Sequence, residues 1–304
     1  MRCVLNRVGV EAQYVTEQMA PDGDFPTVSK PNPEEEAIFK LAKENAERAD
    51  LLLATDPDAD RLGVMVRHQG CWFMLSGNQT GLILLYFLAD YYRKANIPLG
   101  GKYIVKSVVS TSLAERICDD YGIECIDVPV GFRYIGAMID KDEKNFLFGF
   151  EESCGYLKGT HVRDKDGIEA ALLVLKAAAY YKEKNRTLID VLNNIYDKYG
   201  YVSDLMRTIH LEKEECARRM SFLRAADPVQ FGALAVMGME DFKDRQDGLS
   251  ADIIKITTPK AQVIFRPSGT EPKMKIYASA KEKNYTDARK IAEEAAQAAV
   301  DLLV

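Results

Sequence analysis

The sequence predicts a protein of the α/β class that ends in a smaller α+β unit. Short apolar runs alternate with longer segments of helical periodicity over most of the chain, a pattern that is typical of sheets whose faces are covered by helices. From about Asp204 the pattern changes to strands of alternating polarity, a hairpin and a final alanine-rich helix. This change indicates a second unit of a different kind.

The size and composition of the chain are those of a soluble globular protein with two or three domains. It has 304 residues, of which 47% are hydrophobic and 28% are charged, and no apolar run approaches the roughly 20 residues that span a membrane. The net charge of −6 argues against a general nucleic-acid-binding protein, which usually carries a basic face. Six cysteines without a CxxC pair, together with no visible signal peptide, predict reduced thiols and a cytoplasmic location.

The first elements are predicted from helix caps, breakers and apolar runs. A helix closes at Gly9 and a strand follows through Tyr14-Val15, so an α/β unit begins halfway. After a loop from Pro21 to Pro33, the Asn32 cap, the proline and the acids of the first turn predict a helix that runs to about Arg48. The strands expected next are 51–54, 62–66 and 72–75.

The remaining elements follow the same logic. Asp166, with Glu169 three residues later, is a variant of the capping box before a long apolar helix, and Gly122 ends another helix. In the middle of the chain the expected helices are 79–94, 112–121 and the segment after 167, and the expected strands are 103–109, 124–128 and 146–150. In the last part we expect the strands 206–211, 252–258, 261–265 and 273–280 and the helices 213–225 and 286–304.

Three aspartates at alternate positions, Asp56, Asp58 and Asp60, follow the apolar run 51–54. Ligands bind open α/β sheets in the crevice outside the carboxyl ends of the strands, and three close carboxylates repel one another unless a cation neutralises them. Oxygen ligands without a nearby His or Cys favour Mg²⁺. Arg61 supplies a fixed positive charge that suits a phosphate oxygen.

Other interpretations of this loop are weaker. Aspartate and proline are common in exposed turns, but three aspartates after an apolar strand and before an arginine are less typical of a plain turn. An EF-hand loop that starts at Asp56 would need glycine and glutamate where Arg61 and Arg67 stand. A phosphatase of the haloacid dehalogenase type also begins with Asp-x-Asp after a strand, but Thr or Val is usual at the position of Asp60.

The hairpin loop from Arg266 to Lys273 has the composition of a phosphate clamp. Ser268 and Thr270 provide hydroxyls, and Gly269 lets backbone N–H groups approach an anion. Arg266 and Lys273 supply positive charge at the two ends. The alternative is a plain tight turn, since Pro, Ser and Gly are turn residues. Charge at both ends with hydroxyls between them favours phosphate.

Glu151 and Ser153 follow a predicted strand end, where a carboxylate and a hydroxyl can bind vicinal sugar hydroxyls. An exposed Glu-Glu-Ser loop is more often only solvated, so this motif is weak when taken alone. Arg133 is a second weak candidate, for phosphate, because a surface arginine is the commoner outcome. The histidines share no spacing, and we expect each to be structural: His68, His161 and His210. His161, beside the sugar loop, is the one that is also a weak candidate for the site.

Three motifs, in this order, resemble those of the α-D-phosphohexomutase family, which contains phosphoglucomutases, phosphomannomutases and phosphoglucosamine mutases. They are Asp56-Pro57-Asp58-Ala59-Asp60-Arg61, Gly149-Phe150-Glu151-Glu152-Ser153 and Arg266-Pro267-Ser268-Gly269-Thr270-Glu271-Pro272-Lys273. The sugar loop that contains Phe150 looks most like the branch of long phosphoglucomutases that includes phosphopentomutase relatives, and so do two further segments. These are Gly77-Asn78-Gln79 and Arg163-Asp164-Lys165-Asp166-Gly167. The resemblance extends over essentially the whole chain.

The resemblance implies three α/β/α domains with mixed sheets, followed by a smaller α+β domain that binds phosphate. By this comparison the chain starts inside the second domain, and the first domain with its phosphorylated serine is missing. The expected divisions are 1–77 for a partial second domain with the metal loop, 78–204 for a third domain with the sugar loop, and 205–304 for the phosphate-binding domain. Some members have a histidine at the position of Gly155, so the general acid or base stays unassigned.

The activity implied is reversible phosphoryl transfer between positions 1 and 6 of a hexose phosphate, with glucose favoured. It proceeds through an enzyme phosphoserine and a hexose 1,6-bisphosphate. In this family the three aspartates would hold Mg²⁺, with Arg61 as the catalytic residue beside them. The substrate-binding residues implied are Glu151, Ser153, Arg133, Arg266, Ser268, Gly269, Thr270 and Lys273.

Several alternatives stay open for the function. They are a mannose, glucosamine or pentose phosphate as substrate, a phosphatase, and a non-catalytic sugar-phosphate-binding protein. The expected partners are a small sugar phosphate and the missing first domain, with no nucleic acid and no membrane. Without the serine, the chain alone is expected to be inactive.

Overall fold

The structure is a computed structural model that describes residues 1–226, 230–232, 234–245, 247, 249–269 and 271–303. The chain folds into two compact units. The first contains Met1–Ser110 and Ala114–Ile195, and the second contains Thr111–Leu113 and Tyr196–Val304. Among the described residues, no helix has both the length and the hydrophobicity that crossing a bilayer demands.

Helices and strands alternate along most of the chain, which confirms the predicted α/β class with an α+β unit at the C-terminal end. The α-helices are α1 (Arg2–Arg7), α2 (Lys40–Glu44), α3 (Gly77–Lys94), α4 (Leu113–Tyr121), α5 (Phe132–Lys141), α6 (Gly167–Lys182), α7 (Leu188–Tyr199), α8 (Lys213–Ala226) and α9 (Tyr285–Leu303). The strands are β1 (Leu51–Thr55), β2 (Leu62–His68), β3 (Cys71–Leu75), β4 (Tyr103–Ser107), β5 (Glu124–Val128), β6 (Phe146–Glu151), β7 (Gly155–Leu157), β8 (Tyr201–His210), β9 (Gln230–Phe231), β10 (Leu234–Ala235), β11 (Gly238–Asp241), β12 (Ile254–Thr257), β13 (Ala261–Pro267) and β14 (Lys273–Glu282).

The first sheet is a three-stranded antiparallel meander in the order β1-β2-β3. Thr55 at the end of β1 pairs with Leu62 at the start of β2, so the aspartates lie in the loop of a hairpin. The expectation that they lie in the crevice of an open α/β sheet is therefore wrong. The reason is local, because the two apolar runs are close enough in sequence to pair directly as a hairpin. Strand β1 is also less buried than its leucines predict, since only Leu52 is fully buried.

Two predictions for the first part of the chain are wrong in detail. Tyr14-Val15 form no strand, and a 3-10 helix, Thr16–Gln18, follows them. The helix expected over 33–48 is shorter, because a 3-10 helix, Glu36–Phe39, continues into the five-residue α2. The Asn32 side chain accepts from the N–H of Glu34 at 3.2 Å, as a cap would, but the first helical turn begins only at Glu36.

The second sheet has the order β5-β4-β6-β7. Strand β4 pairs in parallel with β5 and β6, whereas β7 runs antiparallel to β6, so the sheet is mixed. Three elements of the first unit and its boundary, β7, α5 and α7, are missing from the prediction, as are β9, β10 and β11 of the second unit. Strand β7 has only three residues, but the buried Phe132, Ile135 and Ile139 of α5 have helical spacing that the sequence displays.

The start of α6 shows how a loop can compete with a helix cap. The Asp166 carboxylate accepts hydrogen bonds from two N–H groups of the first helical turn, which confirms the predicted cap. The Glu169 carboxylate does not complete the capping box. It accepts instead from the N–H groups of Lys158 and Gly159, and so ties the loop after β7 to the helix.

The second unit is built on a five-stranded antiparallel sheet in the order β11-β12-β13-β14-β8. The predicted hairpin is confirmed as β13 and β14, with Pro267 opposite Met274 at its closed end. Helices α8 and α9 contribute to one hydrophobic core with this sheet. Helix α9 packs through small side chains, which let it approach the strands closely: Ala288, Ala292, Ala295, Ala296 and Ala299.

Candidate functional site

The aspartates lie in a tight loop between β1 and β2. The N–H of Ala59 donates to the carbonyl oxygen of Asp56 at 3.0 Å, and Ala59 has a φ of 58°, in the left-handed region that favours glycine. Carboxylate oxygens of Asp56, Asp58 and Asp60 lie within 4.8 Å of one another. Asp56 is buried, Asp60 is half-buried and Asp58 is exposed. The structure therefore brings the three predicted metal ligands together.

Arg61 neutralises part of this negative charge. Its Nε donates to Oδ2 of Asp56 at 2.6 Å, and its main-chain N–H donates to Oδ1 at 3.0 Å. Burial raises the pKa of the Asp56 carboxyl, but the hydrogen bonds from Arg61 outweigh burial, and the net pKa is lowered. On its other side, Nη1 of Arg61 donates to Asn32 at 3.2 Å and to Glu34 at 3.3 Å. Asn32 and Glu34, which the sequence assigns to a helix start, thus hold the guanidinium.

A second cation, Lys165, lies beside Asp60 and was not among the predicted site residues. Its Nζ is 2.5 Å from Oδ2 of Asp60. Burial raises the pKa of Asp60 and the nearby Asp56 raises it further, so the net pKa is raised although Lys165 lowers it. The sequence contains a signal for this contact, because Lys165 stands in the segment 163–167 that carries part of the family resemblance.

Main-chain contacts hold the aspartate loop against two other segments. The N–H of Gly167 at the start of α6 donates to the carbonyl oxygen of Ala59 at 3.0 Å. A Cβ on Gly167 would lie 2.6 Å from the carbonyl oxygen of Arg61, so only glycine fits there without a shift of the backbone. On another side, Arg61 forms an antiparallel bridge with Gly155 of β7.

The same Gly155 brings the predicted sugar loop to the aspartates. It pairs with Glu151, the last residue of β6, and also with Arg61, so both loops meet within the first unit. Glu151 is 5% exposed, and its Oε1 accepts from the N–H of Gly131 at 2.7 Å. Burial, followed by the charge of Glu152, raises the pKa of Glu151 to about 7.

The rest of the sugar loop is fixed by its neighbours. Oε2 of Glu152 accepts from the hydroxyl of Ser107, at the end of β4, at 2.9 Å. Ser153 is half-buried, and Cys154 turns the chain with a φ of 65°. A Cβ on Gly155 would lie 2.8 Å from Cδ of Lys165, so the lysine side chain occupies the space beside this glycine.

The other candidates near this loop have local partners. Arg133 is exposed, and its guanidinium donates to the hydroxyl of Tyr134 at 3.0 Å and lies 4.7 Å from the centre of that ring. His161 lies 3.1 Å from the Asp166 carboxylate that caps α6. The described contacts do not bring Arg133 to the aspartates, and they give His161 a role in the loop before α6.

The predicted phosphate loop closes the hairpin of β13 and β14. The N–H of Ser268 donates to the carbonyl oxygen of Lys273 at 2.9 Å, and the Ser268 hydroxyl accepts from the N–H of Glu271 at 3.2 Å. Gly269 is exposed, and a Cβ there would meet no atom within 4 Å. Thr270 lies outside the described residues. The loop is therefore a hairpin turn whose tip is open to solvent.

The cations of this loop differ in their partners. Lys273 is paired with Glu271, whereas Arg266 has no acidic partner within ion-pairing distance among the described residues. Arg266 pairs across the ladder with Lys275, a second half-buried cation that was not predicted. The alternation of β14 places Lys273 and Lys275 on the same face of the sheet. Like charges opposite each other are destabilising, so this end of the hairpin favours a bound anion.

Comparisons with known proteins agree on a single family. Three family models match the chain, and they are described as phosphoglucomutase/phosphomannomutase, alpha/beta/alpha domain II, alpha/beta/alpha domain III and C-terminal domain. The matched residues are 1–70, 77–199 and 222–298, respectively. Together these models cover most of the chain.

Individual relatives agree with the family models. The chain is 37% identical over 288 residues to a phosphoglucomutase of Staphylococcus epidermidis, a match that covers 88% of this chain and 52% of the relative. It is 37% identical over 292 residues to a probable phosphomannomutase of Haemophilus influenzae, covering 93% and 57%. The chain thus spans little more than half the length of these curated relatives.

Solved structures share the fold at lower identity. A putative phosphomannomutase from Thermus thermophilus matches with a TM-score of 0.59 and 24% identity, covering 89% of this chain and 51% of that one. The open form of parafusin, a phosphoglucomutase from Paramecium, matches with a TM-score of 0.66 and 20% identity, covering 89% and 50%.

The buried Glu151 predicts a pH dependence of stability. Its pKa is about 7 in the folded chain against an ordinary value of 4.5, so the folded chain holds the proton more tightly than the unfolded chain. The resulting stabilisation is fully present below pH 4.5 and is lost as the pH rises through 7. We expect a loss on the order of 3 kcal/mol across this range.

Urea unfolding at several pH values checks this prediction. Wild type should lose stability with rising pH relative to Glu151→Gln, which cannot titrate. The exposed Glu44→Gln variant is the control and should follow wild type. Equal pH profiles for wild type and Glu151→Gln would contradict the raised pKa.

Proposed function

The chain belongs to the phosphoglucomutase/phosphomannomutase family, and from this premise we propose that it serves the reversible transfer of a phosphoryl group between positions 1 and 6 of a hexose phosphate. The observation that carries the proposal is the meeting of two loops at Gly155, one with three carboxylates and one with a buried glutamate and a serine. Glucose phosphate is the substrate we favour. Mannose phosphate is the first alternative, because a probable phosphomannomutase is as similar to the chain as a phosphoglucomutase; a pentose phosphate is the second.

We propose that Asp56, Asp58 and Asp60 hold Mg²⁺. The donor set consists of carboxylate oxygens within 4.8 Å of one another, which suits a hard cation. Within the described part of the chain, the buried Oδ1 of Asp60 has no hydrogen-bond partner. Such an oxygen is costly unless it is satisfied, and a cation among the three carboxylates would satisfy it. When bound, Mg²⁺ would act as a Lewis acid that offsets the charge of a phosphoryl group.

The two cations beside the aspartate loop have different proposed roles. Nε and Nη1 of Arg61 are taken up by Asp56, Asn32 and Glu34, which leaves Nη2 without a partner among the described residues. We propose that Nη2 faces a phosphoryl oxygen, a contact for which a held guanidinium needs little further ordering. Lys165 would neutralise Asp60 whenever no metal ion does so.

Glu151 and Ser153 are proposed to bind the sugar hydroxyls. A carboxyl group with a pKa near 7 can donate a hydrogen bond in one protonation state and accept in the other. That versatility suits a site in which a sugar must be held in two orientations, once for each phosphate position. Gly131, which donates to Glu151, keeps one carboxylate oxygen in place while the other is presented to ligand.

In the second unit, Arg266, Ser268, Gly269, Thr270 and Lys273 are proposed to bind the phosphate that does not react. Arg266 carries the strongest support, because it faces Lys275 across the ladder and has no described acidic partner. Arg133, with local contacts only, keeps a weaker proposed role in phosphate binding.

We also propose three domains, 1–77, 78–204 and 205–304, and a phosphoserine that comes from outside these 304 residues. No described serine or threonine hydroxyl contacts the carboxylates of Asp56, Asp58 or Asp60. A nucleophile that gives and recaptures a phosphoryl group must stand beside the metal site. The serine would pass its phosphoryl group to the sugar phosphate, forming the hexose 1,6-bisphosphate, and would take back the other one.

Asp58→Ala is expected to weaken Mg²⁺ binding about tenfold or more, since the charge and number of ligands set the affinity. Asp58 is exposed, so its loss should leave the fold intact. Calorimetric titration of the purified chain measures the effect. Asp24→Ala removes an exposed aspartate elsewhere in the sequence and should bind like wild type. Equal affinities of wild type and Asp58→Ala would exclude this loop as the metal site.

Arg266→Ala is expected to weaken glucose 1-phosphate binding without changing Mg²⁺ binding. A charge-assisted hydrogen bond contributes roughly 1.5–3 kcal/mol, so the affinity should fall about tenfold or more. Lys260→Ala, immediately before the start of β13 and away from the loop, removes the same charge and is the matched control. If both variants bind the sugar phosphate like wild type, the loop is a plain hairpin turn.

The function itself is tested by turnover. The chain is incubated with glucose 1-phosphate, Mg²⁺ and glucose 1,6-bisphosphate, and glucose 6-phosphate is coupled to NADPH formation. We expect no turnover from the 304 residues and turnover from a chain extended by the serine-bearing domain that the family implies. Turnover by wild type but not by Asp58→Ala would overturn the serine mechanism.

The same assay separates the rival functions. Release of inorganic phosphate would indicate a phosphatase, and binding without turnover by the extended chain would indicate a sugar-phosphate sensor.

A further inference from the structure

Two cysteines of the first unit lie next to each other in space and take no part in the proposed mechanism. Cys118 is in the last turn of α4 and Cys125 is near the start of β5. Gly122, with a φ of 68°, turns the chain between them, and the N–H of Ile123 donates to the carbonyl oxygen of Cys118 at 3.0 Å. Glu115, one helical turn before Cys118 on the same face of α4, and Asp127, two residues after Cys125 on the same face of β5, both lie within ion-pairing distance of Nζ of Lys106. A tight helix-to-strand turn thus brings two thiols together.

A buried ammonium group belongs to the same cluster of side chains. The side chain of Lys106 in β4 is 1% exposed, and its Nζ lies 2.6 Å from Asp127 and 3.4 Å from Glu115. Lys106 and Asp127 are partners in the parallel ladder of β4 and β5, and Cys125 precedes Asp127 by two residues. These three side chains therefore share one face of the sheet. Helix α4 contributes Glu115 and Cys118 to the same cluster.

The carboxylates of this cluster keep Lys106 charged. The Asp127 and Glu115 carboxylates outweigh the burial of Lys106, which lowers its pKa, so the net pKa is raised and the lysine stays charged. An ammonium group next to a thiol stabilises the thiolate, which is the nucleophilic form. The side chain of Cys125, followed by burial, raises the pKa of Cys118. Cys118 is therefore held as a thiol while a positive charge stands close by.

The two thiols differ in access to solvent. Cys118 is 1% exposed, whereas Cys125 is partly exposed. A small oxidant can reach Cys125 first, and the product on its sulfur would already lie beside the Cys118 thiol. A partly accessible cysteine with a neighbouring buried thiol is an arrangement that redox-sensitive pairs use.

We propose that Cys118 and Cys125 are a modification site at which a hydroperoxide forms a reversible intramolecular disulfide. The Cys125 thiolate attacks the peroxide and breaks its O–O bond, which leaves a sulfenic acid on Cys125 and releases hydroxide. The Cys118 thiol then attacks that sulfur, the S–O bond breaks, and water leaves. With hydrogen peroxide, two thiols and one peroxide give one disulfide and two waters. A dithiol reductant reverses the reaction by thiol–disulfide exchange.

The other cysteines provide controls within the same chain. Cys3 and Cys71 are exposed, and Cys154 and Cys216 are buried. Replacing Cys3 and Cys71 by serine removes the two exposed thiols that would otherwise react with oxidant or join two chains. The double-serine background keeps four of the six cysteines.

Peptide mapping tests the proposal without depending on the mutase function. Cleavage after Arg116 and Arg133 puts both Cys118 and Cys125 into one peptide, 117–133. After hydrogen peroxide treatment and alkylation of the folded protein, this peptide should carry no alkyl group and weigh two hydrogen atoms less than the reduced form. Titratable thiols should fall from four to two in the double-serine background, and dithiothreitol should restore both.

Two single variants identify the order of the steps. With Cys118→Ser, dimedone should trap a sulfenic acid on Cys125, because the resolving thiol is gone. With Cys125→Ser, the peptide should gain neither a disulfide nor a dimedone adduct. If the wild-type peptide keeps two alkylatable thiols after oxidation, or is oxidised only to sulfinic acid, the proposal is wrong. Loss of the Cys216 thiol at the same rate would also overturn it, since oxidation would then be unselective. None of these outcomes bears on the phosphoryl-transfer proposal.

Discussion

The structure of the first unit depends on the neutralisation of three carboxylates that lie within 4.8 Å of one another. Carboxylates this close cannot all be ionised in a partly buried loop without opposing charge. The chain provides that charge from two directions. Arg61 binds Asp56 through its side chain and its main chain, and Lys165 binds Asp60. Asp58, which is exposed, is the member of the group that these cations leave to solvent or to a metal ion.

The two cations that neutralise the aspartates also connect the loop to other parts of the chain. Arg61 is held by Asn32 and Glu34 from the segment before the first sheet, and Lys165 belongs to the loop before α6. The two cations therefore tie the hairpin of β1 and β2 to two segments that are remote in sequence. Close packing adds to these ion pairs, because Gly167 at the start of α6 lies against the carbonyl oxygens of the aspartate loop.

The second unit presents the opposite electrostatic situation. Arg266 and Lys275 stand across from each other on one ladder, and the glycine at the loop tip is open. One unit thus gathers carboxylates that favour a cation, and the other gathers cations that favour an anion. Under the proposed function, the cation would be a divalent metal ion and the anion the phosphate group of a sugar phosphate. Neither site needs the net charge of the chain, which is negative, to match its ligand.

The sequence by itself determined the fold class, the hairpin of β13 and β14, the end of α4 at Gly122 and the residue types of the three motifs. These features depend on periodicity and on local backbone preferences, which a few neighbouring residues encode. Only the tertiary structure decided that β1 and β2 form a hairpin, that Asn32 and Glu34 hold the guanidinium of Arg61, and that Lys165 joins the aspartates. It also decided the raised pKa of Glu151. Each of these depends on which distant side chains share a desolvated space, and that is set by packing between segments, which local sequence patterns do not encode.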